Sequence, residues 1–309
     1  MSAVDTTAGV FAPDSMMRRV MGERVVSYAY GMRASFVGAL HPMAFIGTNI
    51  HTSAHGGAIY ERMYRTALSF EALQLGDFAA AEAEKKRVAD LHVQVRGAID
   101  RDLSPLEPSK DAHKAGERYS AYDPHQSFFT MAFLCESATT LYETFVGPLT
   151  PEERQAHYED WITFGEWYGM KRSWAPATWP EFLDTYQGYL TSDRAYLTRS
   201  ARRAGLSLVT LTLPTLLKGM NELNYLMVVG TVPEHVREAY GTPWTARHEA
   251  EFRALRGALK GGVGRLPRRL RRGTLFAHLG PLADLADRQQ REREAARGAR
   301  PNPNAVKVS

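Results

Sequence analysis

Cysteine is nearly absent from the sequence: Cys135 is the single one in 309 residues. One cysteine cannot form an internal disulfide framework, and it cannot supply a cysteine-rich zinc or iron–sulfur site. A cysteine content this low is typical of proteins in a reducing compartment. The sequence therefore predicts a cytoplasmic protein. The first residues also lack the basic and apolar regions of a signal peptide, which favours the same location.

Several patterns that define large protein classes are also missing. There is no internal repeat and no glycine-rich phosphate loop, and strands do not alternate with helices, so a nucleotide-binding α/β fold is not expected. The apolar stretch 206–232 contains Pro214, Lys218 and Glu222. Charges at the middle of a membrane are costly, so we interpret this stretch as a buried helix and expect no transmembrane segment.

The sequence does contain a succession of helix signals. Asp14-Ser15 and Asp77 are N-cap candidates, and Asp123-Pro124 opens an apolar segment with proline at the favoured first position. Thr150-Pro-Glu-Glu153 forms a capping box. Apolar periodicity then predicts helices at residues 25–40, 43–50, 60–75, 78–99, 124–145, 151–169, 179–190, 206–232, 233–240 and 245–259.

These signals predict an all-α fold. We expect a single multi-helix domain at residues 15–280, because no linker or change of composition divides that range. Residues 1–14 are small and polar and are predicted to be disordered. Residues 281–309 are predicted to form a charged, partly disordered C-terminal tail.

His92 is the first candidate for chemistry. It lies on the predicted helix 78–99, four residues after Val88 and three before Val95, so it sits on or beside the buried face. One interpretation is a core histidine bonded to a carbonyl. The other is an axial ligand of haem iron, because a neutral imidazole on a rigid helix facing an apolar pocket commonly serves as one.

Arg62 and Thr66 are the second candidate. They are four residues apart and share one helix face, with Arg65 beside them. Such side chains can orient dioxygen or hold a haem propionate. The alternative is a solvated arginine and a threonine bonded to its own helix.

The other histidines and the acids on the apolar helix have simpler interpretations. His51 and His55 have i, i+4 spacing, but two glycines follow at once and no HExxH pattern is present, so no zinc site is expected. His41 precedes a proline and is expected to cap carbonyls at a helix end. Glu136 and Glu143 are expected to be solvated or salt-bridged.

Residues 253–272 carry many arginines and few acids, including the run Arg268-Arg-Leu-Arg-Arg272. Aromatic residues for base stacking do not alternate with them, so no nucleic-acid partner is expected. A solvated basic face is the favoured interpretation, with weak peripheral contact to a membrane as the alternative.

An ordered set of short motifs spans residues 15–270. His41-Pro42 is followed by Arg62-x-x-x-Thr66, then by the segment from Val88 through His92 to Gly97, and then by Tyr119-x-Ala-x-Asp-Pro124. Met17-Arg-Arg-Val20 precedes them, and Gly147-Pro-Leu149 and the segment 233–244 follow. In this order and spacing the motifs resemble the haem-dependent oxygenases related to MpaB and to the bacterial latex-clearing protein.

The resemblance implies that haem b is enclosed between helices and that His92 is its proximal ligand. It also implies that Arg62 and Thr66 are catalytic residues on the distal side, and that Arg62, Arg65 and Arg96 help to bind the cofactor. The function expected from it is a haem b-dependent oxygenase. Its partners would be a small apolar organic substrate and dioxygen or peroxide.

The sequence departs from the family pattern at two places. Met131 stands where many relatives have a histidine, and residues 43–50, where the rubber-cleaving members have a glutamate base, contain no acid. The resemblance therefore implies an oxygenase without implying rubber cleavage. A haem carrier or sensor without oxygenase activity, and a cofactor-free helical binding protein, are the alternatives.

Overall fold

The structure is a computed structural model that describes residues 9–50, 59–210 and 218–274, with residues 280, 281, 284, 285, 287, 288, 291 and 292. Within this part of the chain the architecture is mostly helical, as predicted. The helices are α1 (Met16–Met21), α2 (Arg24–Gly38), α3 (Pro42–Ile50), α4 (Ile59–Leu75), α5 (Phe78–His92), α6 (Pro124–Phe145), α7 (Pro151–Trp167), α8 (Trp179–Leu190), α9 (Arg199–Val209), α10 (Lys218–Val229), α11 (Glu234–Tyr240), α12 (Ala246–Gly262) and α13 (Arg268–Arg271).

The helices begin where local sequence signals predict. The side chains of Ser15, Asp77 and Asp123 accept hydrogen bonds from the backbone amides three residues later. Thr150 and Glu153 form the expected reciprocal capping box at the start of α7. These caps satisfy amides that have no partner within the helix, so each start is fixed by a few adjacent residues.

Two predicted helices are wrong in extent. The predicted helix 78–99 ends at His92, and residues 96–98 form strand β1 (Arg96–Ala98), antiparallel to β2 (Arg118–Ser120). β-Branched valines and Gly97 weaken helix formation there, and Gly97 instead pairs with Tyr119. The predicted helix 206–232 is interrupted, because α9 ends at Val209.

The centre of the core lies between α2 and α6, which pack along each other. An ion pair is buried between them: Nη1 of Arg33 donates to Oε2 of Glu136 at 2.5 Å, and Arg33 is 1 % exposed. Tyr186 also donates to this carboxylate. Glu143 binds Arg154 at 2.6 Å, so the salt-bridged interpretation of both glutamates is confirmed.

The ends of the domain differ from expectation. Phe11 is buried and accepts a hydrogen bond from Arg18, so the packed chain begins before residue 15. Asp287, in the expected tail, is buried and accepts from the backbone amide of Glu61 in the first turn of α4. Residues 1–8, residues 51–58 with His51 and His55, and most of 281–309 lie outside the described residues.

Among the described residues, no helix is long and apolar enough to cross a membrane.

Candidate functional site

The candidate site is built on a helical hairpin formed by α4 and α5. Gly76 and Asp77 join the two helices, which pack against each other. A Cβ at Gly76 would lie 2.3 Å from the Ala72 carbonyl oxygen, so the tight turn requires glycine. At 1.5 Å per residue, Arg62 and His92 each lie about 20 Å from this turn. The hairpin therefore brings both residues to the same open end.

His92 is the last residue of α5 and is partly buried. Its Nδ1 is buried and has no hydrogen-bond partner among the described residues. The rings of Tyr122 and Tyr168 lie 6.0 and 6.3 Å from the imidazole centroid. Burial lowers the pKa of His92, and the backbone of Tyr168 opposes this to a smaller extent. A neutral imidazole keeps a lone pair that can bind a metal.

Arg62 and Thr66 have no partners in the described part of the chain. Arg62 is partly buried without an ion pair, and burial lowers its pKa. The exposed Thr66 hydroxyl does not bond to its own helix, whereas Thr130 and Thr139 each donate to the carbonyl four residues earlier. The interpretation of Thr66 as a threonine bonded to its own helix is therefore wrong.

Tyr168 connects the two helices of the hairpin. Its hydroxyl lies 3.2 Å from Oγ of Ser69, which is three residues after Thr66 on the same helix face. Its ring also packs beside His92. The sequence did not predict a role for Tyr168, because it follows α7 and no local pattern connects it to α4 or α5.

The other two arginines from the family motif lie at the surface. Arg65 is exposed and binds Glu61 at 2.6 Å. Arg96 is exposed on β1. Their role in cofactor binding stays a prediction.

Apolar side chains flank His92. Leu91 is 50 % exposed and Val93 is 53 % exposed. The chain therefore exposes apolar surface immediately before and after His92.

A separate cleft of about 570 Å³ lies at the start of α6 and is also missed by sequence analysis. His41, His113, His125 and Arg194 contribute to its lining, which does not include Arg62, Thr66 or His92. His41 does not cap carbonyls, contrary to expectation. Its Nδ1 accepts from the backbone amide of Ala44, because His41 precedes α3 and lies at a helix start, where free amides need acceptors.

This cap determines which nitrogen donates at each step of a chain of hydrogen bonds. Because Nδ1 of His41 is an acceptor, Nε2 carries the proton and donates to Nδ1 of His125 at 3.1 Å. His125 then carries its own proton on Nε2. The chain keeps both imidazoles neutral, and burial lowers the pKa of both.

Acid should destabilise the protein through its two most buried histidines. Burial lowers the pKa of His41 to about 3, helped by repulsion from His125 and His113 when they are protonated and from Arg194, and burial lowers the pKa of His157 to about 3. Below an unfolded pKa of about 6.5, the unfolded chain takes up protons that the folded chain refuses. We expect the free energy of unfolding to fall by about 2 kcal/mol per histidine between pH 7.5 and 5.

Urea unfolding across this pH range measures the effect. His41→Asn is the matched variant, because asparagine keeps a helix-capping oxygen but does not titrate. We expect a shallower pH dependence in His41→Asn. A pH dependence identical to that of the unsubstituted protein would contradict the assignment to His41.

The chain was compared with known proteins. Residues 18–261 match the family model described as ER-bound oxygenase mpaB/B'/Rubber oxygenase, catalytic domain. This range begins in α1 and ends in α12, so it includes the α4–α5 hairpin. No curated protein and no solved structure matches the chain.

Proposed function

The chain belongs to the family of mpaB/B' and rubber oxygenase catalytic domains, and from this oxygenase membership we propose that it uses haem b to oxidise a small apolar organic molecule. The observation that carries the proposal is the buried, unpartnered Nδ1 of His92 at the open end of the hairpin. A buried polar atom without a partner is costly, so this nitrogen supports the proposal that a group binds there.

The residues at the open end of the hairpin fit haem b in three respects. His92 has a neutral imidazole that can bind iron. Arg62 is partly buried without an anionic partner, and a propionate would supply one. Leu91 and Val93 offer exposed apolar surface of the kind that a porphyrin covers.

In this proposal His92 holds the iron. When bound, haem b supplies the oxidising chemistry with dioxygen or peroxide. Arg62 and Thr66 bind and orient the oxidant or the substrate, because an arginine and a free hydroxyl on one face donate hydrogen bonds where negative charge develops. Tyr168 positions both helices through Ser69 and His92.

The side chains of α3 restrict the kind of oxidation that we propose. Residues 42–47 are Pro-Met-Ala-Phe-Ile-Gly. Met43 and Ile46 pack with Ile99, Leu103 and Tyr119 in a small apolar cluster. This segment offers no carboxylate to accept a proton, so the proposal does not include the base-dependent cleavage of rubber.

The purified protein tests the proposal directly. We expect a Soret band after expression with haem supply, and oxygen uptake that depends on an added apolar substrate. A protein that binds no haem contradicts the cofactor assignment. A haem protein that shows neither oxygen uptake nor peroxide consumption in response to the substrate contradicts the catalytic part and favours a carrier or sensor.

Arg62→Gln and Thr66→Val should separate binding from catalysis. Thr66→Val keeps the shape of the side chain, Arg62→Gln shortens it but keeps it polar, and His92 remains as ligand, so we expect the Soret band to persist. Turnover should fall by about 100-fold in each, as for loss of one preorganised donor. Lys86→Gln on α5 is the control, because Lys86 is exposed and binds Asp90. Full turnover in the Arg62→Gln/Thr66→Val double variant would remove both residues from the mechanism.

A further inference from the structure

Residues 252–272, from the middle of α12 to the end of α13, contain eight arginines and lysines and no aspartate or glutamate. We name residues 256–270 the basic platform. Such a density of one charge costs free energy through repulsion unless partners or solvent compensate it. Arg253 pairs with Glu249 on its own helix, and the structure divides the other seven cations into two groups.

The first group anchors the segment. Glu23 is 2 % exposed, and its carboxylate binds Arg271 at 3.3 Å and Arg272 at 2.9 Å. Arg272 also donates to the carbonyls of Arg18 and Arg19, at 2.8 Å each. These contacts fix the end of α13 to the junction of α1 and α2. The two arginines are therefore structural, which corrects their interpretation as part of a solvated face.

The second group points outward. Within the described chain, no acidic side chain pairs with the platform cations Arg256, Lys260, Arg265, Arg268 and Arg269. Residues 264–270 are all exposed. A Cβ added at Gly257, Gly261, Gly262 or Gly264 would meet no atom within 4 Å, so the described structure leaves this face open.

Two large apolar side chains lie among these cations. Leu266 is 47 % exposed and Leu270 is 54 % exposed. Pro267 lies between them and begins the short α13, and the anchor at Arg271 and Arg272 holds the segment in place. The platform thus combines exposed leucines with arginines that have no acidic partner among the described residues, on a fixed support.

We propose that the basic platform docks the protein on an anionic lipid surface. The arginines match the negative charge of the headgroups, and the leucines insert at the boundary of the acyl chains. Leucines favour lipid over nucleic acid, because bases stack on aromatic rings and Phe252, the aromatic residue within residues 252–272, is buried. Docking in this way needs no membrane-spanning helix.

Co-sedimentation of the full-length protein with vesicles tests the proposal. We expect binding to vesicles of phosphatidylcholine with phosphatidylserine, little binding to phosphatidylcholine alone, and release at high salt. Arg268→Gln/Arg269→Gln should weaken the apparent affinity by about fivefold per arginine removed. Leu266→Gln/Leu270→Gln should weaken it while leaving its salt dependence intact.

Matched controls come from other surfaces of the protein. Leu106→Gln/Leu223→Gln removes two exposed leucines, and Lys86→Gln/Arg247→Gln removes two exposed cations. Both controls should bind vesicles like the unsubstituted protein, and all variants should keep its thermal midpoint. Equal binding to neutral vesicles, binding unaffected by the platform variants, or displacement from vesicles by duplex DNA would each overturn the proposal.

Discussion

His92→Ala is expected to abolish stable haem binding while leaving the helical content of the protein almost unchanged. His92 is the last residue of α5, and alanine has the higher helix propensity, so the helix should persist. The imidazole is the proposed iron ligand. Changes that only perturb a ligand weaken metal binding by 10- to 100-fold, so removal of the ligand should weaken haem binding by more than about 100-fold.

Absorption spectra during a haem titration measure the loss, and circular dichroism checks the helices. His125→Ala is the control, because His125 is an exposed histidine of the separate cleft. Free imidazole added to His92→Ala should restore part of the Soret band by replacing the missing ligand. Full haem occupancy and an unchanged spectrum in His92→Ala would show that another residue holds the iron.

Arg33→Met is expected to lower the free energy of unfolding by about 3–5 kcal/mol. Arg33 lies in the core, and its guanidinium makes two hydrogen bonds to Glu136, at 2.5 and 3.1 Å. Burial raises the pKa of Glu136, but the charge and hydrogen bonds of Arg33 outweigh it and keep the pKa low. Without Arg33, a carboxylate that is only 14 % exposed remains with no opposite charge. Urea unfolding at neutral pH measures the cost.

The double variant Arg33→Met/Glu136→Leu tests the cause. Removing both charges should restore most of the stability, because a buried ion pair contributes little over apolar residues of similar volume. The deficit of Arg33→Met alone should also shrink as pH falls and the carboxylate takes up a proton. A loss below about 1 kcal/mol in Arg33→Met would show that water reaches this pair.

Most helix starts could be predicted from sequence, because each depends on a few adjacent residues. Thr150 and Glu153 illustrate this, since their reciprocal capping bonds span three positions. The end of α5 could not be predicted from sequence, because β1 depends on pairing with residues 118–120, about 20 positions later. The periodic apolar pattern continues through Val95, so the sequence alone does not show that strand pairing competes with the helix there.

In the candidate site, too, the features that depend on neighbouring residues could be predicted and the contacts between distant residues could not. The spacing of Arg62 and Thr66 predicted their shared helix face, and the motif around His92 predicted a site there. Tyr168 was missed, because its contact with Ser69 joins residues 99 positions apart. The contact of His41 with His125 joins residues 84 positions apart. Contacts between distant residues are set by packing, which no local pattern records.

The ion pair of Glu23 also constrains when the start of the chain can reach its final packing during synthesis. Its partner Arg272 lies 249 positions later, so the ribosome makes nearly the whole domain before the pair can form. Until then the carboxylate has to stay hydrated, and the junction of α1 and α2 cannot close over it. We therefore expect the junction of α1 and α2 to reach its final packing late, after α13 has left the ribosome.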